Sequence, residues 1–139
     1  MLVSEQLIRF IEDSGESRTR IAREAKVDYK AFKRFLENKA DIYISTADKI
    51  AHYLNLELVD GGGKRAKRAY TLSEQLQFFL KTCTMTHYRI AKDSGVRQIV
   101  ITRFLSEKQG IRMIRTVDKL ACYLGLTLQK DGEILDYNN

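Results

Sequence analysis

The sequence predicts an all-α protein made of two tandem small helical bundles, each followed by a short extended segment, and three observations predict it. The first is internal repetition. SEQLIRF…RIAREAKVDYKAFKRFLENK…STADKIAHYLNLEL over Ser4–Leu58 returns as SEQLQFF…RIAKDSGVRQIVITRFLSEK…RTVDKLACYLGLTL over Ser73–Leu128. Allowing one gap between Lys39/Lys108 and Thr46/Thr116, the copies share 21 identical residues outside that stretch. Identity of that density over a domain's length is duplication rather than composition. The second observation is apolar spacing at the helical period in four segments of each copy. The third is an alternating L-x-L at each copy's end, Leu56-Glu57-Leu58 and Leu126-Thr127-Leu128, which reads as extended chain. The expected organisation is a first domain at 1–60, a basic flexible linker at 61–70, and a second domain with a C-terminal tail at 71–139.

The elements follow in order. Ser4 is a good N-cap with Glu5 in the first turn, and Leu7, Ile8, Phe10 and Ile11 give the first helix its apolar stripe until Gly15 stops it. Ser17 caps a second helix carrying Ile21, Ala22 and Ala25. Lys26-Val27 makes a turn, and Asp28 caps a third helix on Phe32, Phe35 and Leu36. A fourth runs from about Thr46 to Leu54 on Ala47, Ile50, Ala51 and Leu54. The second copy repeats the scheme with Leu76, Phe79 and Leu80; Ile90, Ala91 and Val96; Ile101, Phe104 and Leu105; and Val117, Leu120, Ala121 and Leu124. Lys130-Asp131-Gly132 can turn the chain into Glu133-Ile134-Leu135 as a small hairpin. Between the copies, the 14 residues from Val59 to Leu72 include GGGKRAKR. Such a segment spans about 46–50 Å fully extended and roughly 20 Å as a coil, so the two bundles are expected to be placed independently.

The repeated core, R-I-A, then a small residue or turn, Val, and a basic amphipathic stretch ending R-F-L, has the layout of a helix-turn-helix. Two helices crossing at a fixed angle need a small residue where they touch, a turn that permits the crossing, and apolar anchors under the second helix. Ala22 and Ala91 supply the contact, Gly95 the turn through its tolerance of positive φ, with Lys26 in its place in the first copy. Val27/Val96, Phe32/Ile101 and Phe35/Phe104 pin the second helix. Together with the following D-K-L-A-x-Y-L-G-L segment, these residues make each copy resemble the phage-repressor (Cro-like, XRE) helix-turn-helix family, over nearly the whole chain except linker and tail. The resemblance implies sequence-specific binding to double-stranded DNA, usually as a dimer on a palindromic site. It places Arg97, Gln98, Ile99 and Thr102 of the second copy, and Tyr29, Lys30 and Lys33 of the first, where base edges are read. Arg forks onto guanine, Gln onto adenine, and Ile or a Thr methyl sits against thymine, so the second copy is expected to discriminate more sharply. Backbone contacts are expected from Arg18, Thr19, His87 and Tyr88 at the starts of the second helices, and from Lys39, Lys108 and Arg112 in the loops after the third.

Charge agrees with a polyanionic partner but divides unevenly. Residues 1–60 hold 10 Lys/Arg against 11 Asp/Glu, 61–70 hold four against none, and 71–139 hold 10 against 7, for the net +6. A basic balance speeds association with polyanions without specifying sequence. Lys64, Arg65, Lys67 and Arg68 of the linker either follow a minor groove or are a solvated connector. Arg34 and Arg103 of R-F-L either touch DNA or pair with a carboxylate on the bundle, the second being favoured. His52 and His87 lie in different copies, and Cys83 and Cys122 both in the second, so neither a metal site nor a structural disulfide is expected. No nucleophile–base pair, ligand spacing or phosphate-cradling loop supports an enzyme, and no cofactor is expected. No run approaches the roughly 18 apolar residues of a membrane span, and Met1–Phe10 is no signal peptide, so a cytoplasmic, nucleoid-associated address is expected. The reading is therefore a transcriptional regulator or mobile-element accessory factor with two recognition helices. A homodimer would form through the L-x-L ends or the tail. The rival is a protein-interaction adaptor whose near-neutral first bundle has lost DNA.

Overall fold

The computed structural model describes residues 2–66 and 71–130. Among them the chain is mostly helical: α1 (Val3–Asp13), α2 (Arg18–Ala25), α3 (Tyr29–Leu36) and α4 (Ile44–Leu54) precede strand β1 (Leu56–Val59). Then α5 (Leu72–Thr82), α6 (His87–Ser94), α7 (Gln98–Leu105) and α8 (Ile114–Leu124) precede strand β2 (Thr127–Lys130). Local capping explains most boundaries. Ser17 accepts from the Arg20 N–H, Asp28 from Ala31 and Thr86 from Arg89. Thr71 and Glu74 satisfy each other's backbone N–H groups in a capping box.

Ser4 does not cap α1. The N-cap is Leu2, whose N–H is accepted by Glu5, while Ser4 lies in the first turn and directs both its N–H (2.8 Å) and its hydroxyl (2.5 Å) to Asp118 of the other copy. That contact belongs to a reciprocal set. Leu72 N–H donates to Asp48 of the first copy (2.9 Å). Leu128 N–H donates to Gln6 Oε1 (2.6 Å), and Leu58 N–H to Gln75 Oε1 (2.7 Å). Helix α1 packs on α8 and β2, and α5 on α4 and β1. The two strands pair antiparallel with Leu58 opposite Leu128, equivalent positions of the two copies. Tyr43 and Met113, also equivalent, form an isolated antiparallel bridge, flanked by Ile44 N–H donating to Arg112 O (2.6 Å) and Ile114 N–H to Ile42 O (3.0 Å). Equivalent residues can meet only on a twofold axis, so these two pairs mark a pseudo-twofold through the chain. The Ile44 bond also explains why α4 starts two residues before the expected Thr46.

This arrangement corrects the expectation that the bundles are placed independently. One apolar core runs through both copies, from Leu7, Ile21 and Phe32 to Leu76, Ile90 and Ile101. The physical reason is that each L-x-L strand and each first helix carries more apolar surface than a bundle of this size can cover alone. The linker's first half is folded as well. Asp60 accepts from the N–H groups of Gly62 and Lys64, Val59 bridges Arg65, and the Arg65 guanidinium lies 2.7 Å from the buried Glu57 carboxylate. Residues 67–70 and 131–139, including Lys67, Arg68 and the expected Glu133–Leu135 hairpin, lie outside the described residues.

Asp48 and Asp118 make the junction pH-sensitive. Burial pushes the Asp48 carboxyl up from 3.8 to about 6, against the opposing pull of the Leu72 and Ser73 N–H groups, with the Glu74 charge adding to the rise. Burial likewise raises Asp118 against its bonds from Ser4. A carboxyl raised on folding binds its proton more tightly in the native state, so its stabilisation is complete below the unfolded value and is lost as pH rises through the folded one. We expect the stability difference between the chain and its Asp48→Asn variant, measured by urea unfolding, to shift in the variant's favour between pH 4 and pH 7, by no more than about 2 kcal/mol after solvent screening. A difference independent of pH would contradict this.

Lys26 ends α2 with φ 61°, where the second copy has Gly95 at φ 81°. A side chain there carries backbone strain that glycine avoids. Nothing lies within 4 Å of a side chain added at Gly95, so torsion alone favours glycine at this turn. Lys26→Gly should therefore raise the melting temperature, by an amount equivalent to a few tenths to about 1 kcal/mol once glycine's greater unfolded entropy is allowed for. A lowered melting temperature would contradict it.

Candidate nucleic-acid interface

The pairs α2/α3 and α6/α7 are built alike. Each joins two eight-residue helices through a three-residue turn that opens on a left-handed residue, Lys26 or Gly95. Phe32, Phe35 and Leu36 fasten α3 to the core, and Ile101 and Phe104 fasten α7. The opposite faces are open. In the first copy Tyr29, Lys30 and Lys33 are exposed; in the second Arg97, Gln98 and Ile99 are exposed, Ile99 by 50%, and Thr102 is half-buried. An isoleucine with half its surface in water on a short helix, beside Arg97 and Gln98, has no internal role in the bundle.

Arg97 sits at the N-cap of α7 and makes no capping bond with its side chain. Its counterpart Asp28 caps α3 by accepting from Ala31. Arg97 and Ile99 line a cleft of about 230 Å³ together with Arg103, Gln109, Arg112 and Thr116. Three arginines therefore line the cleft between α7 and the loop that follows it. Arg103 bonds to Gln109 Oε1 at 3.4 Å rather than to a carboxylate, which corrects the carboxylate pairing favoured from sequence. Among the described residues none of the three arginines is ion-paired with a carboxylate; like charges so placed are stabilised by an anion, and a guanidinium fork suits a phosphate. The first copy has Asp28 in place of Arg97 and Ile42 in place of Arg112, so it lacks this cluster.

The structure also gathers two candidates expected in different roles. His87 Nδ1 and Thr102 Oγ1 lie 3.1 Å apart, tying the start of α6 to the exposed side of α7. Tyr88 is 63% exposed beside them. In the first copy Arg18 and Thr19 are exposed at the start of α2, with Arg18 in a 3.9 Å surface pair with Glu12 that is worth little. Lys39, Lys108 and Arg112 are exposed in the loops after α3 and α7, and Arg112 lines the cleft. Lys64 and Arg65 are not laid out as a free arm: Lys64 Nζ stands 5.3 Å from the Phe78 ring centre and Arg65 neutralises Glu57. A buried carboxylate needs that partner, so the structure gives Arg65 a role within the fold.

Sequence reasoning missed the cleft as a unit, and with it Arg103, Gln109 and Thr116. The available signal was the one-residue difference between the copies after Lys39/Lys108, where the second copy's loop carries Gly110 and Arg112. Among the described residues no group of three or more His, Cys, Asp or Glu is placed to hold a metal ion, and no helix is long and apolar enough to cross a membrane. Cys83 and Cys122 are both free thiols. The chain matches no protein-family model, no curated protein and no solved structure.

Proposed function

We propose that the chain is a sequence-specific double-stranded DNA-binding protein, a transcriptional regulator or mobile-element accessory factor, in which α2/α3 and α6/α7 are helix-turn-helix units of the phage-repressor type. The observation that carries this reading is the pairing of two such units about one pseudo-twofold axis, each with the outer face of its second helix exposed. A single chain then takes the part that a symmetric dimer takes on a palindrome, and α3 and α7 enter successive major grooves. Because their outer faces differ (Tyr29 against Gln98, Lys30 against Ile99, Lys33 against Thr102), the preferred site has two dissimilar halves. Arg103 and Arg112 of the cleft support a phosphate contact at the second half, while Arg97 at the start of α7 is left to the bases.

Site selection from random duplex DNA, followed by footprinting and the mass of the complex, tests the proposal. The expected result is one chain on two unlike half-sites whose centres lie about 34–36 Å apart. Packing rather than linker reach sets that spacing, so inserting residues after Gly62 should leave it unchanged. Failure to enrich any sequence would refute the proposal. Protection of the second half alone would instead support a protein partner for residues 1–60.

A further inference from the structure

The junction of the copies leaves one large ring in the open that nothing above uses. Tyr43 is 61% exposed, although its backbone is held by the bridge to Met113 and by the flanking bonds of Ile44 and Ile114. A fixed backbone with an exposed aromatic side chain is a presented group rather than a loose one. Tyr43 and Met113 straddle the pseudo-twofold axis, as Leu58 and Leu128 do at the other paired position. The Tyr43/Met113 bridge is continuous with the outer face of α7, because Arg97 and Ile99 share their cleft with Arg112, the residue next to Met113. Two exposed cations belong to the same junction: Arg112, whose carbonyl accepts from the Ile44 N–H, and Arg115, which faces Asp41. Arg115 is only loosely engaged, 4.0 Å from Asp41. An exposed ring on a junction that also carries exposed cations fits a polyanion better than an apolar protein surface.

On one face of B-DNA, two successive major grooves are separated by a minor groove. The geometry points to Tyr43 as the residue that fills this central minor groove and selects the base steps beneath it, an inference that rests on the DNA-binding reading above. A phenol ring is bulky for a groove about 6 Å wide, so the groove must open to admit it. Pyrimidine–purine steps open at low cost, whereas A-tracts are stiff and narrow. Tyr43 thus confers a preference at base pairs that neither α3 nor α7 reaches. It also makes the centre asymmetric, because its counterpart Met113 is half-buried.

The test uses the full chain on duplexes that keep both selected half-sites and differ only at the centre, a TA step or an A-tract. The expected result is about five- to tenfold tighter binding to the TA centre, reduced to within about twofold by Tyr43→Ala and largely kept by Tyr43→Phe. Thermal unfolding of each variant checks that the fold is intact. As a measurement on the unaltered chain, 2-aminopurine placed at the centre should brighten on binding as the step opens, and less so with Tyr43→Ala. A Tyr43→Ala chain that discriminates between centres as the parent does, or a parent indifferent to the centre, overturns the inference while leaving two-half-site recognition intact. Absence of any half-site preference in the parent chain would instead remove the DNA-binding reading and this inference with it.

Discussion

Leu58→Ala is expected to lower the unfolding free energy by about 2–5 kcal/mol and to destabilise both copies in one transition. Leu58 is fully buried, faces Leu128 across the strand pair, and its N–H is held by Gln75 of the second copy. Truncating its isobutyl group to a methyl leaves a void where the two halves of the core meet, and neither half can collapse into it without giving up strand register. Hydrogen exchange of backbone amides in α2 and α6, read residue by residue, checks the expectation. Protection in both helices should fall by the same free energy, because one core links them. If α6 kept its protection while α2 lost it, the bundles would be separate cooperative units. The same continuity means that residues 1–60 and 61–139, cut apart, expose α1, α5 and both strands. A comparison of such fragments would therefore mix folding with binding.

What was legible in the sequence followed from local chemistry and from duplication. Ser17, Asp28 and the apolar positions of α2, α3, α6 and α7 announce themselves because capping and helical spacing are short-range. The left-handed position at Gly95 was equally readable, and its alignment with Lys26 identified the corresponding turn. Ser4 misled because its polar side chain has two uses, and the long-range bond to Asp118 outcompeted a local cap that Leu2 and Glu5 could replace. The pairing of Leu56–Val59 with Thr127–Lys130 was half visible. The L-x-L ends were recognised as edges needing a partner, but a single sequence does not say whether that partner is another chain or the second copy. Glycines in the linker argued for freedom, whereas Asp60 and Arg65 organise it through bonds whose partners lie in β1 and its turn. Of the candidate interface, the outer face of α7 could be read from its spacing. The arginine cleft could not, since Arg97, Arg103 and Arg112 line one cleft only once the loop after α7 has folded back.

The exposed start of α7 leads to the other large effect. Arg97→Ala is expected to weaken binding to the selected site by roughly 1–3 kcal/mol, with much less loss on random duplex, because a base-edge contact carries sequence information. Gln98→Ala should behave alike, and both losses should map to the second half-site. Arg112→Ala should weaken binding to every duplex alike and lower the slope of log affinity against log salt by about one, since a phosphate contact releases a counterion. The first copy offers an internal comparison. Tyr29, Lys30 and Lys33 surround no arginine cluster, and Asp28 sets a negative charge where the second copy has Arg97. Scrambling the first half-site should therefore cost less affinity than scrambling the second. Titrations at several salt concentrations, on duplexes with one half scrambled at a time, separate these effects. An Arg97→Ala loss of equal size on selected and random DNA would make Arg97 a backbone contact. A larger loss from scrambling the first half would transfer the discrimination to α3, against the placement of the basic cleft.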